Sequence, residues 1–439
     1  MTLRRALGSV LLGAALVGAL GGCNATLDSL SSQKSEEAGG ADSSAGTTGS
    51  TVGKLAIPAT LRPVTHSGTY YNAFSDLLGK DNPEVSDKIE AAFQQLFHGD
   101  RDTQSIFIEG NTGPDLSSIY DVLHNKQIRT EGMGLAMLIT VELDHQEEFD
   151  QLWRYSKTRQ QETSGPEKGY FDSQCGEGEG TDCYDVYGMQ YFALALMLAH
   201  GRWHSTPDMP YQADALALLD MFLNKEATNS GVVNGIGNAF SRDRFLVREE
   251  PTLADAGFTT RASLQMPAAY WYWAKATGMP FWNAAAKASH SLLVDAADPA
   301  TGLWPMRSYF DGAPVEGSPG FTQQGYRTQL ALALDALWGT ASADQAELAN
   351  RVLNFFDSQG IADYGGTFET DGTPVDTGRA QALVSVNGAL AVAARSNPHR
   401  KAFVQEVWDQ ATPSGDNRYY EGLLYLVSML ILSGQLQVY

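Results

Sequence analysis

The stretch Arg129–Met137 reads RTEGMGLAM. It sets a cation, a hydroxyl and a carboxylate beside a glycine, and a small apolar run follows with helical spacing. Glu131 therefore falls in the first turn of a helix, where the positive end of the helix dipole stabilises the ionised carboxylate and lowers its pKa. Proton donation asks for the opposite. A general acid at this position needs burial or a second carboxylate close by to bring the pKa back up. Arg129 and Arg327 can orient a carboxylate or a ligand hydroxyl, or serve only as structural ion pairs.

Glu131 is positioned by a regular succession of helices. Twelve segments carry helical periodicity, from DKIEAAFQQLF and EGMGLAMLITVEL to KAFVQEVWDQA and YEGLLYLVSMLIL. They alternate in character. The odd-numbered ones carry charge on one face, and the even-numbered ones are apolar or small nearly all round, as buried helices are. Six amphipathic helices around six buried ones imply an all-α (α/α)6 barrel. A solenoid would need polar surface on the buried set, which these segments lack. Long loops rich in Gly, acids and aromatics lead into the buried helices, among them FDSQCGEGEGTDCYDVYG and FDGAPVEGSPGFTQQG. Loops collected on one rim are the expected home of function, and Glu131 stands on that rim.

The formal charge of −21 repels polyanions, which excludes nucleic acid as a default partner and disfavours acidic polymers. Neutral or cationic glycans are permitted. At the N-terminus, MTLRRALGSVLLGAALVGALGGC has two arginines, a short apolar stretch and small residues before Cys23. It resembles a bacterial lipoprotein signal over residues 1–22, with Cys23 as the lipidated residue and membrane attachment through that lipid. Asn24 leans towards the outer membrane, on its periplasmic or cell-surface side. Residues 23–57 are rich in Ser, Gly and Thr and read as a flexible tether, leaving 58–439 for the barrel. Cys175 and Cys183 flank a Gly-rich loop and suit a disulfide in an oxidising compartment. The sequence implies no metal and no cofactor.

The pieces RTEGMGLAM, YFALALMLAHGRW (Tyr191–Trp203), YRTQLALALDALW (Tyr326–Trp338) and NRYYEGLLYLVSMLILSG (Asn417–Gly434) together resemble glycoside hydrolase family 8. Within it they are most similar to exo-oligoxylanases that release xylose from reducing ends. The resemblance implies an (α/α)6 barrel that hydrolyses β-1,4-linked glycans of xylan, glucan or chitosan type with inversion. It also implies that Glu131 is the general acid, protonating the leaving oxygen while a base activates water across the ring.

Three positions depart from the family pattern. The residue three before Arg327, an Asp base in most members, is Gln324. A sugar-contacting Asp is matched by Tyr187, and an Asp or Asn by Arg261. Chitosanase-like members also carry an amide at the base position and draw the base from a nearby loop, so Glu316 and Asp311 are the candidate bases. Tyr184, Tyr187, Tyr309, Tyr364 and Tyr419 are rim aromatics able to stack on sugar faces, while Trp271, Trp273 and Trp338 suit helix packing. Substrate contacts are expected from Arg129, Tyr184, Tyr187, Gln324, Arg327 and Tyr419. Two other functions compete with hydrolysis: a catalytically impaired glycan-binding barrel involved in polysaccharide handling or export, and a polysaccharide lyase using a rim tyrosine. The charge disfavours the lyase.

Overall fold

Alternation in helix character sorts the chain into two rings. The computed structural model describes residues 53–66, 68–173, 184–251 and 259–439. The leader, Cys23, most of the tether and the Cys175/Cys183 pair lie outside them. Among the described residues, a short helix α1 (Ala73–Leu78) precedes twelve longer ones. Its Asn72 cap accepts from the Ser75 amide, and Gly79 closes it in the left-handed conformation. Six residues are too few for a periodic signal, which is why the sequence pattern does not reveal it.

The outer helices are α2 (Asn82–His98), α4 (Gln146–Tyr155), α6 (Tyr211–Asn229), α8 (Pro280–Asp295), α10 (Ala343–Ser358) and α12 (Arg400–Asp409). The inner ones are α3 (Thr130–Leu143), α5 (Val186–Trp203), α7 (Pro267–Thr277), α9 (Tyr326–Leu337), α11 (Gln381–Leu390) and α13 (Arg418–Ser433). Every residue of α5 from Val186 to Ala199 is buried, whereas α2 buries only the stripe Val85, Ile89, Ala92, Phe93, Leu96 and Phe97. That difference is the one the apolar spacing implied. Each fully buried Leu or Phe contributes roughly 1.5–3 kcal/mol relative to exposure.

Inner helices pack on one another, α3 on α5, α7 on α9, α9 on α11 and α11 on α13, and α13 returns to α3 to close the ring. Between α5 and α7 the link is polar: the Tyr270 hydroxyl donates to Gln190 Oε1, and Gln190 Nε2 donates to the Leu264 carbonyl at 3.2 Å. Each inner helix also packs on an outer neighbour, α3 on α4 through α11 on α12, with α13 on α2. This is the (α/α)6 barrel. Among the described residues, strand is confined to short antiparallel pairs in the rim loops, such as Thr367–Phe368 with Pro374–Asp376.

Two details bear on the site. First, α3 and α5 approach so closely that a Cβ on Gly188 would stand 2.3 Å from the Thr130 carbonyl carbon and 2.4 Å from the Glu131 nitrogen. Glycine at 188 therefore lets the start of α3 seat against α5. Second, the chain is docked earlier than its composition marks. Asn224 brackets Leu55, accepting its amide at 2.7 Å and donating to its carbonyl at 2.8 Å, so residues 54–57 belong to the folded part.

Candidate active site

The N-termini of the inner helices converge on a cleft of about 610 Å³. Glu131 lines it from the first turn of α3, its side chain 16% exposed. Arg327, one residue into α9 on the far side of the ring, reaches across and donates from Nη1 to Glu131 Oε1 at 2.7 Å. Burial pushes the Glu131 carboxyl up, Arg327 opposes that shift, and Asp185 nearby adds to it. Burial dominates, so the pKa is raised in spite of the helix dipole and the guanidinium. This meets the requirement for proton donation drawn from the sequence.

Asp185 is a residue the sequence reading passed over. It caps α5, accepting the Tyr187 amide at 3.0 Å, and takes the Thr130 hydroxyl at 3.4 Å. An Asp directly before a long apolar run is an N-cap signature, and that was the available signal. Arg129 lines the cleft beside Glu131 and is fixed by Gln127 Oε1 at 2.8 Å and by Asp121 at 3.2 Å.

Tyr187 lies beneath the cleft rather than in it. Its ring is 1% exposed, its hydroxyl is 2.9 Å from that of Tyr191, and the Arg327 guanidinium sits 4.3 Å above the ring centroid. The ring therefore supports Arg327 through a cation–π contact and is covered by it. Tyr184 is likewise buried, packed against Tyr170. Tyr364 is buried under Arg379, and Tyr309 is 43% exposed but does not line the cleft. Trp273 and Trp338 are buried packing residues, as expected.

Tyr419 does line the cleft. It is 5% exposed, and its hydroxyl has no hydrogen-bond partner among the described residues. Its ring lies over Gly132, where a Cβ would stand 2.5 Å from the hydroxyl oxygen. A buried unsatisfied hydroxyl costs about 1–3 kcal/mol, so its retention at a cleft suits a group that a ligand completes.

Gln324 lines the cleft next to Arg261. Arg261 donates from Nη1 to Gln324 Oε1, and from Nε and Nη2 to Glu249 Oε1 at 2.9 and 2.7 Å. The other oxygen of Glu249 accepts from Arg307 Nε at 2.7 Å. Glu249, 4% exposed at its side chain, thus takes three charge-assisted bonds, with both oxygens engaged by guanidinium groups. Nothing in its REEP context marked it in the sequence. Neither Glu316 nor Asp311 lines the cleft; both are exposed on the loop before α9, and Asp311 Oδ1 accepts the Ala313 amide at 3.1 Å as a turn residue does. The carboxylates facing the cleft besides Glu131 and Glu249 are Asp121, Asp185, Glu250, Asp376, Asp416 and Glu421.

Comparison with known proteins bears on the family and the fold. A family model described as glycosyl hydrolases family 8 matches residues 106–434. A reducing end xylose-releasing exo-oligoxylanase of Halalkalibacterium halodurans is 30% identical over 383 residues, covering 84% of this chain and 94% of that enzyme. Its counterpart from Paenibacillus barcinonensis is 31% identical over 386 residues, covering 85% and 97%. A solved family 8 xylobiose complex from Teredinibacter turnerae superposes with a TM-score of 0.76 at 31% identity, covering 85% of this chain and 98% of that one.

Proposed function

The chain belongs to glycosyl hydrolases family 8, and from that premise we propose that it hydrolyses β-1,4-linked xylo-oligosaccharides by inversion, with Glu131 as general acid. The observation that carries the assignment is Glu131 itself: a carboxylate on the cleft wall, with a pKa raised by burial and an orientation fixed by Arg327 at 2.7 Å. The protonated acid delivers its proton to the leaving oxygen as positive charge builds on the anomeric carbon. Arg327 holds the carboxyl in one rotamer and stabilises the carboxylate that remains. The relatives that act on xylo-oligosaccharides favour that substrate over gluco- or chitosan-type glycans.

An inverting reaction needs a second carboxylate about 6.5–9.5 Å from the acid, with water between. Gln324 is an amide and cannot take a proton from water at neutral pH. Glu316 and Asp311 stand outside the cleft, so the base falls to one of Asp121, Asp185, Glu250, Asp376, Asp416 and Glu421. Glu421, whose pKa burial raises, accepts the Gln381 amide at 3.1 Å. Changing each to its amide and adding azide identifies the base: only the base variant loses turnover and regains it as a glycosyl azide.

The test of the whole reading is proton NMR of the products from xylotriose. Initial release of the α-anomer at the cleaved linkage supports inversion, and β-anomer or unsaturated product contradicts it. A second reading, glycan retention with little turnover, is favoured by the Arg261–Gln324 contact, which occupies the usual base position with donors. Binding of xylotriose without product release would select it.

The signal-like leader supports a lipid anchor on Cys23 and an outer-membrane location, with the barrel tethered on the periplasmic or cell-surface side. Radiolabelled palmitate incorporated into the native chain but not into Cys23→Ser tests the anchor.

A further inference from the structure

Polarity along one wall of the cleft is inverted relative to the acidic pattern that the family resemblance implies. Arginine has no acceptor atom, so the Gln324 atom facing Arg261 is the amide oxygen, and the NH₂ group is left to donate. Arg261 carries five N–H donors; Nε and Nη2 go to Glu249 and one on Nη1 goes to Gln324. One N–H on each terminal nitrogen is taken by no described residue. These two, with the Gln324 amide, form a donor-only edge on the cleft where an acceptor-only carboxylate is the family pattern.

The edge is built, not incidental. Glu249 is nearly inaccessible and lies between Arg261 and Arg307, so one negative charge fixes two guanidinium groups. The paired terminal N–H groups of a guanidinium match the two oxygens of a carboxylate. Acids still outnumber arginines around the cleft as a whole, and Glu250 lies next to Glu249 in the chain and faces the same space. Selectivity therefore rests on the fork, not on net charge. The overall charge of −21 also works against a long polyanion.

We propose that Arg261 and Gln324 bind the carboxylate of a uronic acid unit, so that the preferred ligand is a short β-1,4-linked oligosaccharide bearing an isolated acidic sugar. This rests on the glycosidase reading above and narrows its substrate class. Glu249 and Arg307 are positioning residues that hold the fork in place.

The test uses the full chain carrying Glu131→Gln, titrated calorimetrically with xylotetraose and with the same oligosaccharide bearing one glucuronic acid branch. A free glucuronate arm separates carboxylate binding alone from recognition of the glycan. The acid-bearing oligosaccharide is expected to bind at least about tenfold more tightly than the neutral one, the size of a single charge-assisted fork. The advantage shrinks as salt is raised. Arg261→Lys, which keeps the charge and removes the planar fork, loses most of the preference, while Gln324→Glu reverses it; thermal melts confirm that both fold. Equal or weaker binding of the acidic oligosaccharide overturns the inference and leaves the glycosidase reading intact. So does a preference that neither substitution changes. Failure of both oligosaccharides to bind overturns the two together.

Discussion

Replacing Arg327 by methionine removes the guanidinium bonded to Glu131 and keeps a side chain of similar length over Tyr187. The bond, at 2.7 Å between a mostly buried carboxylate and an arginine that is 6% exposed at its side chain, is charge-assisted. Such bonds contribute about 1.5–3 kcal/mol. Arg327 lowers the Glu131 pKa against a larger rise from burial, so its loss lets the pKa climb further. If Glu131 donates the proton, the alkaline limb of kcat/KM belongs to its deprotonation and moves up in pH. Maximal kcat falls because the carboxyl loses its fixed orientation. Reducing-sugar release from xylo-oligosaccharides, followed from about pH 4 to about pH 10, reads both effects. A limb that stays in place or moves to lower pH refutes the assignment of that limb to Glu131.

Glu142, at the far end of α3, is buried, and its pKa is pushed up to about 8. It accepts the Gln437 amide at 3.1 Å and the Tyr439 hydroxyl at 2.9 Å. Because the folded pKa lies above the ordinary value of 4.5, its contribution to stability is full below about pH 4.5 and is lost as pH rises towards 8, a difference of up to roughly 5 kcal/mol. Glu142→Gln is expected to flatten the melting temperature against pH across that window, and an unchanged slope would contradict the sign. Gly188→Ala forces a Cβ against the start of α3 and is expected to cost at least about 1–3 kcal/mol and most of the activity, read by thermal melts and turnover. Tyr419→Phe removes a buried hydroxyl without a described partner, so the melting temperature holds or rises while KM for xylo-oligosaccharides increases several-fold.

The barrel was legible because burial all round a helix leaves an unmistakable pattern: α5 from Val186 to Ala199 contains no charged residue. Glu131 was legible because its rim position and the RTEG pattern coincide. The ion pair with Arg327 was not, since 196 residues separate the partners and only ring closure brings α9 over α3. Asp311 and Glu316 suited the base role by proximity in sequence to Gln324, but the loop before α9 turns them outward. Tyr187 was expected to meet the sugar; instead Arg327 covers its ring, a placement decided by packing that no local pattern encodes. Arg261 was noticed as a departure, yet its partner Glu249 sits on another loop, and their pairing could be seen only in three dimensions.

The assignment of Glu131 is tested most directly by Glu131→Gln, which keeps the shape and the bond from Arg327 while removing the transferable proton. Turnover of xylo-oligosaccharides should fall by about 10²- to 10⁴-fold with the melting temperature and oligosaccharide binding maintained. Turnover within a few-fold of the parent chain would contradict the assignment of Glu131 as the general acid.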